Sequence, residues 1–281
     1  MWYPFLVLGP PPRNFYDGPE LFGPVFDALR DNVRVGGIDS DDLAALDEYH
    51  PLGRSATLAL ADLAAVSDGE KVLDIGAGLG GPSRVLARYY GAEVTALDAT
   101  RRFCAISDVF CNRAELSDKV KVVGGDALGL TFIDRSFDVV WTQALWQDIE
   151  DKERLAKNAH RVLKPGGRLA LFEVVAGPGG ELHYPLPWAD SGERCFMVTA
   201  KALRRLLFDA GFRESVWREG DEVVTACREA VADVYGMKAG GGLPGVDLTL
   251  VMPDFHQRAA TLGRNVKEDR IGLVQAVLTR D

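Results

Sequence analysis

The segment KVLDIGAGLGG, residues 71–81, decides the fold of this chain. Its first five residues form a short apolar run typical of a buried strand, and four glycines follow within six residues. Pro82 then stands where the first turn of a helix tolerates a missing N–H. A strand that enters a helix through a glycine turn is the first unit of a sheet whose ligands bind at the carboxyl ends of its strands.

The rest of the chain repeats this alternation of strand and helix. The apolar pattern predicts strands over 71–75, 93–97, 120–123, 137–141, 168–175, 213–218 and 271–279. It predicts helices over 82–90, 100–115, 151–162, 199–210, 223–235 and 254–268. Before this region we expect an irregular arm over 1–20 and helices over 20–66, the third of which runs from about Ser55 to Ala65. A glycine-rich loop is expected over 236–247. Strict alternation predicts an α/β fold, a doubly wound, Rossmann-like sheet.

Composition excludes several classes of protein. The 281 residues are 47% hydrophobic, and 32 basic against 41 acidic residues give a net charge of −9. A negative surface repels phosphate backbones, so we expect no nucleic-acid partner. Four cysteines without a paired motif predict a reducing, cytoplasmic location, and no apolar run is long enough to predict a membrane partner. No spacing of ligand residues predicts a metal site.

The glycine turn is compatible with two cofactors. Gly76, Gly78 and Gly81 satisfy the dinucleotide pattern, and Asp98 ends the next strand, where a carboxylate accepts ribose hydroxyls. Asp74 points at the turn, where it would repel a pyrophosphate but attract the ammonium group of S-adenosylmethionine. The leading hypothesis is therefore S-adenosylmethionine, and the alternative is an NAD(P)-dependent oxidoreductase on the same type of fold.

Further motifs follow in a fixed order: Gly125-Asp126-Ala127, Phe137-Asp138-Val139-Val140 and Arg161-Val162-Leu163-Lys164-Pro165-Gly166-Gly167. With the glycine turn they make the sequence resemble the class I S-adenosylmethionine-dependent methyltransferases over about 70–220. The resemblance implies a seven-stranded sheet whose last strand is antiparallel. It also implies that Asp126 binds the adenine amino group, Ala127 its ring edge, and Gln143 the sulfur side. The expected cofactor-binding residues are Asp74, Gly76, Ala77, Gly78, Asp98, Ala99, Asp126, Ala127 and Gln143.

A looser resemblance concerns small-molecule methyltransferases with an N-terminal helical cap, such as the sarcosine/dimethylglycine, sterol-like and natural-product groups. It is carried by Asp47-Glu48-Tyr49-His50 and by the helix start Gly80-Gly81-Pro82-Ser83-Arg84. It implies an arm and helical cap over 1–68. The cofactor domain then covers 69–281, with a helical insertion over about 221–270, and the chain is a possible homo-oligomer.

Methyl transfer is an in-line displacement, so the protein must position an acceptor, exclude water and, where needed, supply a base. The predicted reaction moves a methyl group to an N, O or C atom of a small molecule, a secondary metabolite by family analogy. The candidate bases are His50, His183 and Glu173. The candidate substrate contacts are Tyr49, Trp146, Gln147, Tyr184 and Trp188.

Overall fold

The computed structural model describes residues 23–25, 27, 41–234 and 245–281. The expected arm over 1–20 and most of the expected glycine-rich loop over 236–247 lie outside these residues. Within the described part of the chain, no helix is both long and apolar enough to cross a membrane.

Seven strands form one mixed sheet, as predicted. They are β1 Lys71–Ile75, β2 Glu93–Asp98, β3 Val120–Gly124, β4 Phe137–Gln143, β5 Leu163–Ala176, β6 Phe212–Glu219 and β7 Ile271–Arg280. Their order across the sheet is β3-β2-β1-β4-β5-β7-β6. Strands β1 to β5 are parallel, and β7 runs antiparallel between β5 and β6. The strand order reverses between β1 and β4, so a crevice opens beside the carboxyl end of β1.

The described helices are α1 Ala44–Asp47, α2 Gly53–Leu63, α3 Gly81–Tyr90, α4 Arg101–Arg113, α5 Lys152–Val162, α6 Ala200–Asp209, α7 Asp221–Val234 and α8 Phe255–Lys267. The expected third N-terminal helix therefore begins at Gly53 rather than Ser55. Leu52 has a φ of 67° directly before it, which ends the preceding segment sharply.

The core lies on both faces of the sheet, because successive strand residues point to opposite sides. On one face, Trp141 of β4 and Phe172 of β5 pack with buried residues of α2 and α3. On the other face, Val140 and Leu171 pack with buried residues of α5 and α6. Both faces are covered, so the central strands are apolar on each side.

An ion pair joins α1 to α3. The Arg84 guanidinium donates to the Asp47 carboxylate, and neither side chain has any exposed surface. Arg84 also donates to the Leu79 carbonyl at 2.9 Å. Burial raises the pKa of Asp47 to about 6, an effect that the charge of Arg84 only partly offsets. The residues that precede the sheet are thus tied to the helix that follows the glycine turn.

A second set of polar contacts fixes the segment between β5 and α6, which we call the lid, residues 182–196. From α8, Arg258 donates to the Leu186 carbonyl at 2.7 Å and to Asp190 at 2.6 Å. Asn265 exchanges two hydrogen bonds with the backbone of His183, at 2.9 and 3.0 Å. Helix α8 therefore holds the lid in place.

The contribution of the buried ion pair between Asp47 and Arg84 can be measured by removing its carboxylate. We expect Asp47→Ala to lower the free energy of unfolding by about 3–5 kcal/mol, because Arg84 is left buried without its carboxylate. Urea unfolding followed by circular dichroism measures the change. Glu153→Ala breaks an exposed pair with Lys157 and is the matched control, expected to leave stability unchanged. Equal effects of the two substitutions would contradict this account.

Candidate functional site

A cavity of about 510 Å³ lies at the carboxyl ends of β1, β2 and β4. The glycine turn forms its floor, residues 47–50 form one wall, and the lid and the segment after β4 cover it. All nine expected cofactor-binding residues line it: Asp74, Gly76, Ala77, Gly78, Asp98, Ala99, Asp126, Ala127 and Gln143. The structure therefore brings together one set of predicted residues from four separate parts of the chain.

The glycine turn is shaped for close approach. Gly78 has a φ of 55°, and a Cβ atom added there would meet no atom within 4 Å, so its backbone faces open space. At Gly81 an added Cβ would lie 2.5 Å from the Asp47 carbonyl oxygen, so only glycine lets residues 47–50 pack against the start of α3.

Asp74 is buried at the end of β1 and lines the cavity. Ser83 in the first turn of α3 donates a hydrogen bond to its carboxyl group at 2.6 Å. Burial raises the pKa of Asp74 to about 7, and the nearby charges of Asp98 and Glu48 act in the same direction. A cationic group bound beside Asp74 would restore the ionised form, so this corner of the cavity favours a positive charge.

Asp98, at the end of β2, supports the glycine turn and also lines the cavity. Its carboxyl oxygens accept hydrogen bonds from the backbone N–H of Gly78 at 2.8 Å and of Thr100 at 2.7 Å. The carboxylate thus holds the glycine turn, and it also lines the cavity, where it can accept a hydrogen bond from a ligand hydroxyl. Burial raises the pKa of Asp98. A ligand contact was predicted for Asp98 from the sequence, whereas its support of the glycine turn was not.

A polar network links the first cavity wall to the end of β4. His50 Nε2 lies 3.0 Å from a carboxylate oxygen of Glu48 and 3.3 Å from Gln143 Nε2. Thr57 Oγ1 lies 2.8 Å from the same Glu48 oxygen and 3.2 Å from Gln143 Oε1. Trp141 Nε1 donates to Gln143 Oε1 at 2.8 Å, and since an indole N–H only donates, it orients the amide.

The outer wall is aromatic and acidic. Tyr49 donates to the Pro187 carbonyl and so joins the first wall to the lid, and Trp188 and Phe196 complete the cover. Lys152 supports it from below, donating to the Ile149 carbonyl at 2.5 Å and to the Phe196 carbonyl. Carboxyl groups at the cavity wall come from Asp47, Asp74, Asp98, Asp126, Asp148 and Glu150. Among the described residues Arg194 is the one Lys or Arg side chain at this wall.

The candidate base and substrate residues divide into two groups. His50, Tyr49 and Trp188 line the cavity. His183, Glu173, Trp146, Gln147 and Tyr184 do not.

Glu173 is fully buried on the sheet face opposite to Gln143. It accepts hydrogen bonds from the backbone N–H of Leu145 at 2.9 Å and of Trp146 at 3.1 Å. Burial raises its pKa to about 8. Its position supports the segment after β4 rather than a reacting group.

The side chains after β4 turn inward. Ala144 has a φ of 49°, and the short turn Trp146–Asp148 follows. Trp146 Nε1 donates to Thr142 Oγ1 at 3.0 Å, and Gln147 donates to the Ala144 carbonyl. Neither side chain lines the cavity; the side chains of this segment that do are Leu145, Asp148, Ile149 and Glu150.

His183 lies on the outer side of the lid, where its Nε2 is 2.8 Å from Glu268 of α8. Tyr184 follows it and lies near Gly192. His183 therefore ties the lid to α8, Tyr184 lies against another part of the lid itself, and neither residue lines the cavity.

Asp47 lines the cavity and Glu48 and Thr57 belong to the polar network beside it, but none of the three was predicted from the sequence as a site residue. Glu48 and Asp47 stand beside Tyr49 and His50, so an acidic pair next to a candidate base was the available signal. Nothing in the sequence distinguishes Thr57. Among the described residues no group of three or more His, Cys, Asp or Glu side chains could hold a metal ion.

The central region of the chain matches a known family of protein domains. Residues 73–171 match the model of a family described as "Methyltransferase domain". The matched region runs from β1 into β5 of the Rossmann-like sheet. The match gives no support to the nicotinamide oxidoreductase alternative.

Two curated relatives are similar over more of the chain. "Methyltransferase GfsG" of Streptomyces halstedii is 33% identical over 163 residues, which are 58% of this chain and 57% of that protein. "27-O-demethylrifamycin SV methyltransferase" of Amycolatopsis mediterranei is 31% identical over 173 residues, 61% of this chain and 62% of that protein. The matched region thus spans less than two thirds of either relative.

A solved structure extends the likeness of fold to most of the chain. The "[4+2]-Cyclase SpnF" has a TM-score of 0.62 at 22% identity, over 93% of both chains. At this level of sequence identity the likeness concerns the fold alone.

Glu173→Gln tests whether Glu173 supports the structure as a buried, protonated acid. The pKa rises from 4.5 to about 8 on folding, so the unfolded chain binds fewer protons and stability falls as pH rises between these values. The glutamine variant has no group that titrates at this position, so we expect it not to lose stability in this way. The melting temperature of the variant minus that of the wild type should therefore increase from pH 5 to pH 8. Glu115→Gln at an exposed position is the control. An advantage independent of pH would argue against this role.

Proposed function

We propose that the protein is an S-adenosylmethionine-dependent methyltransferase that acts on a small molecule. The observation that supports the proposal is the arrangement of acidic side chains along one cavity. Asp74 favours an ammonium group at the glycine turn, and Asp98 and Asp126 offer acceptors to the ribose and adenine of the same ligand. The bound cofactor would supply an activated methyl group, and the chain would supply position and shelter from water.

The enclosure of the site supports a small acceptor. Residues 47–50 of the proposed cap, which covers 1–68, and the lid both border the cavity, so an acceptor must fit beneath them. The aromatic wall of Tyr49, Trp188 and Phe196 suits the apolar body of a secondary metabolite. One relative is named for methylation of an oxygen of rifamycin, which is in line with such an acceptor. The proposal also includes a cytoplasmic location for the protein and its ability to form a homo-oligomer.

Calorimetric titration tests the cofactor directly. We expect S-adenosylhomocysteine to bind and NAD to give no heat, because a pyrophosphate at the turn would meet the Asp74 carboxyl group. Binding of NAD, or no heat with S-adenosylhomocysteine, would refute the proposal.

Asp98→Ala should weaken the binding of S-adenosylhomocysteine by about 1–3 kcal/mol, which corresponds to an increase in Kd of about 5- to 150-fold. The loss has two sources, the ribose contact and the support of Gly78. Asp118→Ala at an exposed position is the control and should leave Kd unchanged. An unaltered Kd for Asp98→Ala would remove this residue from the site.

Cofactor affinity should depend on pH through Asp74. The pKa of this group is about 7 in the free protein, and a bound ammonium group lowers it, so ligand binding releases a proton. We expect Kd for S-adenosylhomocysteine to rise by up to about tenfold from pH 8 to pH 6. The control ligand 5′-methylthioadenosine lacks the amino acid end and should show a flatter profile. Asp74→Asn should flatten the profile of S-adenosylhomocysteine, and an unchanged slope would contradict the assignment.

A further inference from the structure

Gln143, the last residue of β4, has a fixed amide orientation. It is buried and lines the cavity. Its Oε1 accepts the indole N–H of Trp141 at 2.8 Å, and Thr57 Oγ1 lies 3.2 Å from the same oxygen. Because an indole nitrogen only donates, the amide nitrogen of Gln143 must point away from Trp141, and it lies 3.3 Å from His50 Nε2. An amide nitrogen carries two hydrogens, so it can contact His50 and still donate to a ligand.

Gln143 lies beside the acid that favours a positive charge. In the parallel pair of β1 and β4, Asp74 is aligned with Trp141, so the two side chains point to the same face of the sheet. Gln143 follows Trp141 by two residues and points to this face as well. A ligand whose ammonium group binds Asp74 therefore brings the rest of its amino acid end towards Gln143. In S-adenosylmethionine a single carbon atom separates the carboxylate from the ammonium nitrogen.

The glycine turn and the helix after it offer this carboxylate few backbone donors. Within the turn, four N–H groups already donate to other protein atoms, those of Gly76, Ala77, Gly78 and Gly80. Pro82, in the first turn of α3, has no N–H. A Cβ added to Gly81 would lie 2.5 Å from the carbonyl oxygen of Asp47 and 2.9 Å from one of its carboxyl oxygens. Two oxygen atoms thus cover the start of a helix that would otherwise attract an anion.

The nearby charged side chains have other partners. Over the part of the chain that the structure describes, Arg194 is the one Lys or Arg side chain at the cavity wall. It lies near Asp148, where its charge opposes the rise in the pKa of that acid that burial causes. The buried Glu48 carboxylate is paired with Arg54 at 3.3 Å and does not line the cavity. Gln143 thus offers a hydrogen-bond donor at the end of the cavity that favours an ammonium group.

We propose that the amide NH₂ of Gln143 binds the carboxylate of the cofactor's amino acid end, and that Trp141 is a positioning residue that keeps this NH₂ directed into the cavity. This inference rests on the proposed methyl transfer and deepens it. The cavity would recognise both charges of the amino acid end, the ammonium group through Asp74 and the carboxylate through Gln143. The role that the family resemblance implies for Gln143 changes accordingly, since an N–H donor suits a carboxylate better than a positively charged sulfur.

A pair of ligands tests the contact with the carboxylate. Decarboxylated S-adenosylhomocysteine keeps the adenosine and the ammonium group but lacks the carboxylate. Its Kd divided by that of S-adenosylhomocysteine, both measured by calorimetric titration at pH 8, gives the selectivity for the carboxylate. Gln143→Leu removes the donor, and Gln143→Glu replaces it with an oxygen. We expect each variant to lower the selectivity by about tenfold or more, because a charge-assisted hydrogen bond is lost. Equal losses for the two ligands, or no loss, in the folded variants overturn the inference.

Trp141→Phe tests the positioning role, and Trp146→Phe is the matched control. Both indoles are buried, but Trp146 donates to Thr142 Oγ1 at 3.0 Å, and neither of these two residues lines the cavity. We expect both variants to lose a similar amount of melting temperature. Only Trp141→Phe should lower the selectivity, by about three- to tenfold, because the amide of Gln143 is then free to rotate. An unchanged selectivity in Trp141→Phe, or an equal fall in Trp146→Phe, overturns this role.

Arg194→Met tests the competing donor on the lid. We expect it to leave the selectivity unchanged, and a selective loss in this variant with none in the Gln143 variants overturns the inference. Failure of the proposed function gives a different result. A wild-type protein that binds neither ligand refutes the proposed function and this inference with it, whereas one that binds both ligands equally well refutes the inference alone.

Discussion

The hydrogen bond from Ser83 to Asp74 joins the end of β1 to the first turn of α3, and the site depends on this join. It spans the glycine turn and sets the distance between strand and helix across which a ligand must lie. Asp98 supports the same turn from β2 through Gly78. Two carboxyl groups at the ends of neighbouring strands therefore shape the backbone of the cavity as well as face it. This double use explains why acidic side chains are placed where burial makes them costly.

Much of the fold was predictable because it depends on local patterns. Apolar runs, glycine turns and helix starts recur in strict alternation, and the strands lie close to the predicted bounds, except that β5 begins at Leu163 rather than at residue 168. Asp74 and Asp98 were predicted because the carboxyl ends of adjacent parallel strands meet at one edge of the sheet. Gln143 was predicted from the resemblance to the class I methyltransferases. The start of α2 was less well predicted, since Leu52 adopts a left-handed conformation that no local pattern signals.

The rest of the site depends on directions that a sequence does not encode locally. Trp146 and Gln147 follow β4 as expected, but the backbone turn at Ala144 points them inward. Glu173 lies on the far face of the sheet from Gln143, because residues of a strand alternate sides. Glu48 and Thr57 are nine residues apart and meet only through the break at 51–53. Such contacts arise from tertiary packing and can be recognised only in the three-dimensional structure.

The acidic lining of the cavity has a consequence for turnover. Six carboxyl groups and one arginine surround the space, counted over the described residues. In the proposed reaction the sulfonium donor carries one more positive charge than the thioether left behind. A negative potential attracts the first species and has little hold on the second. The spent cofactor is thus the weaker ligand by electrostatics, and its departure is favoured by the same field that draws the fresh donor in.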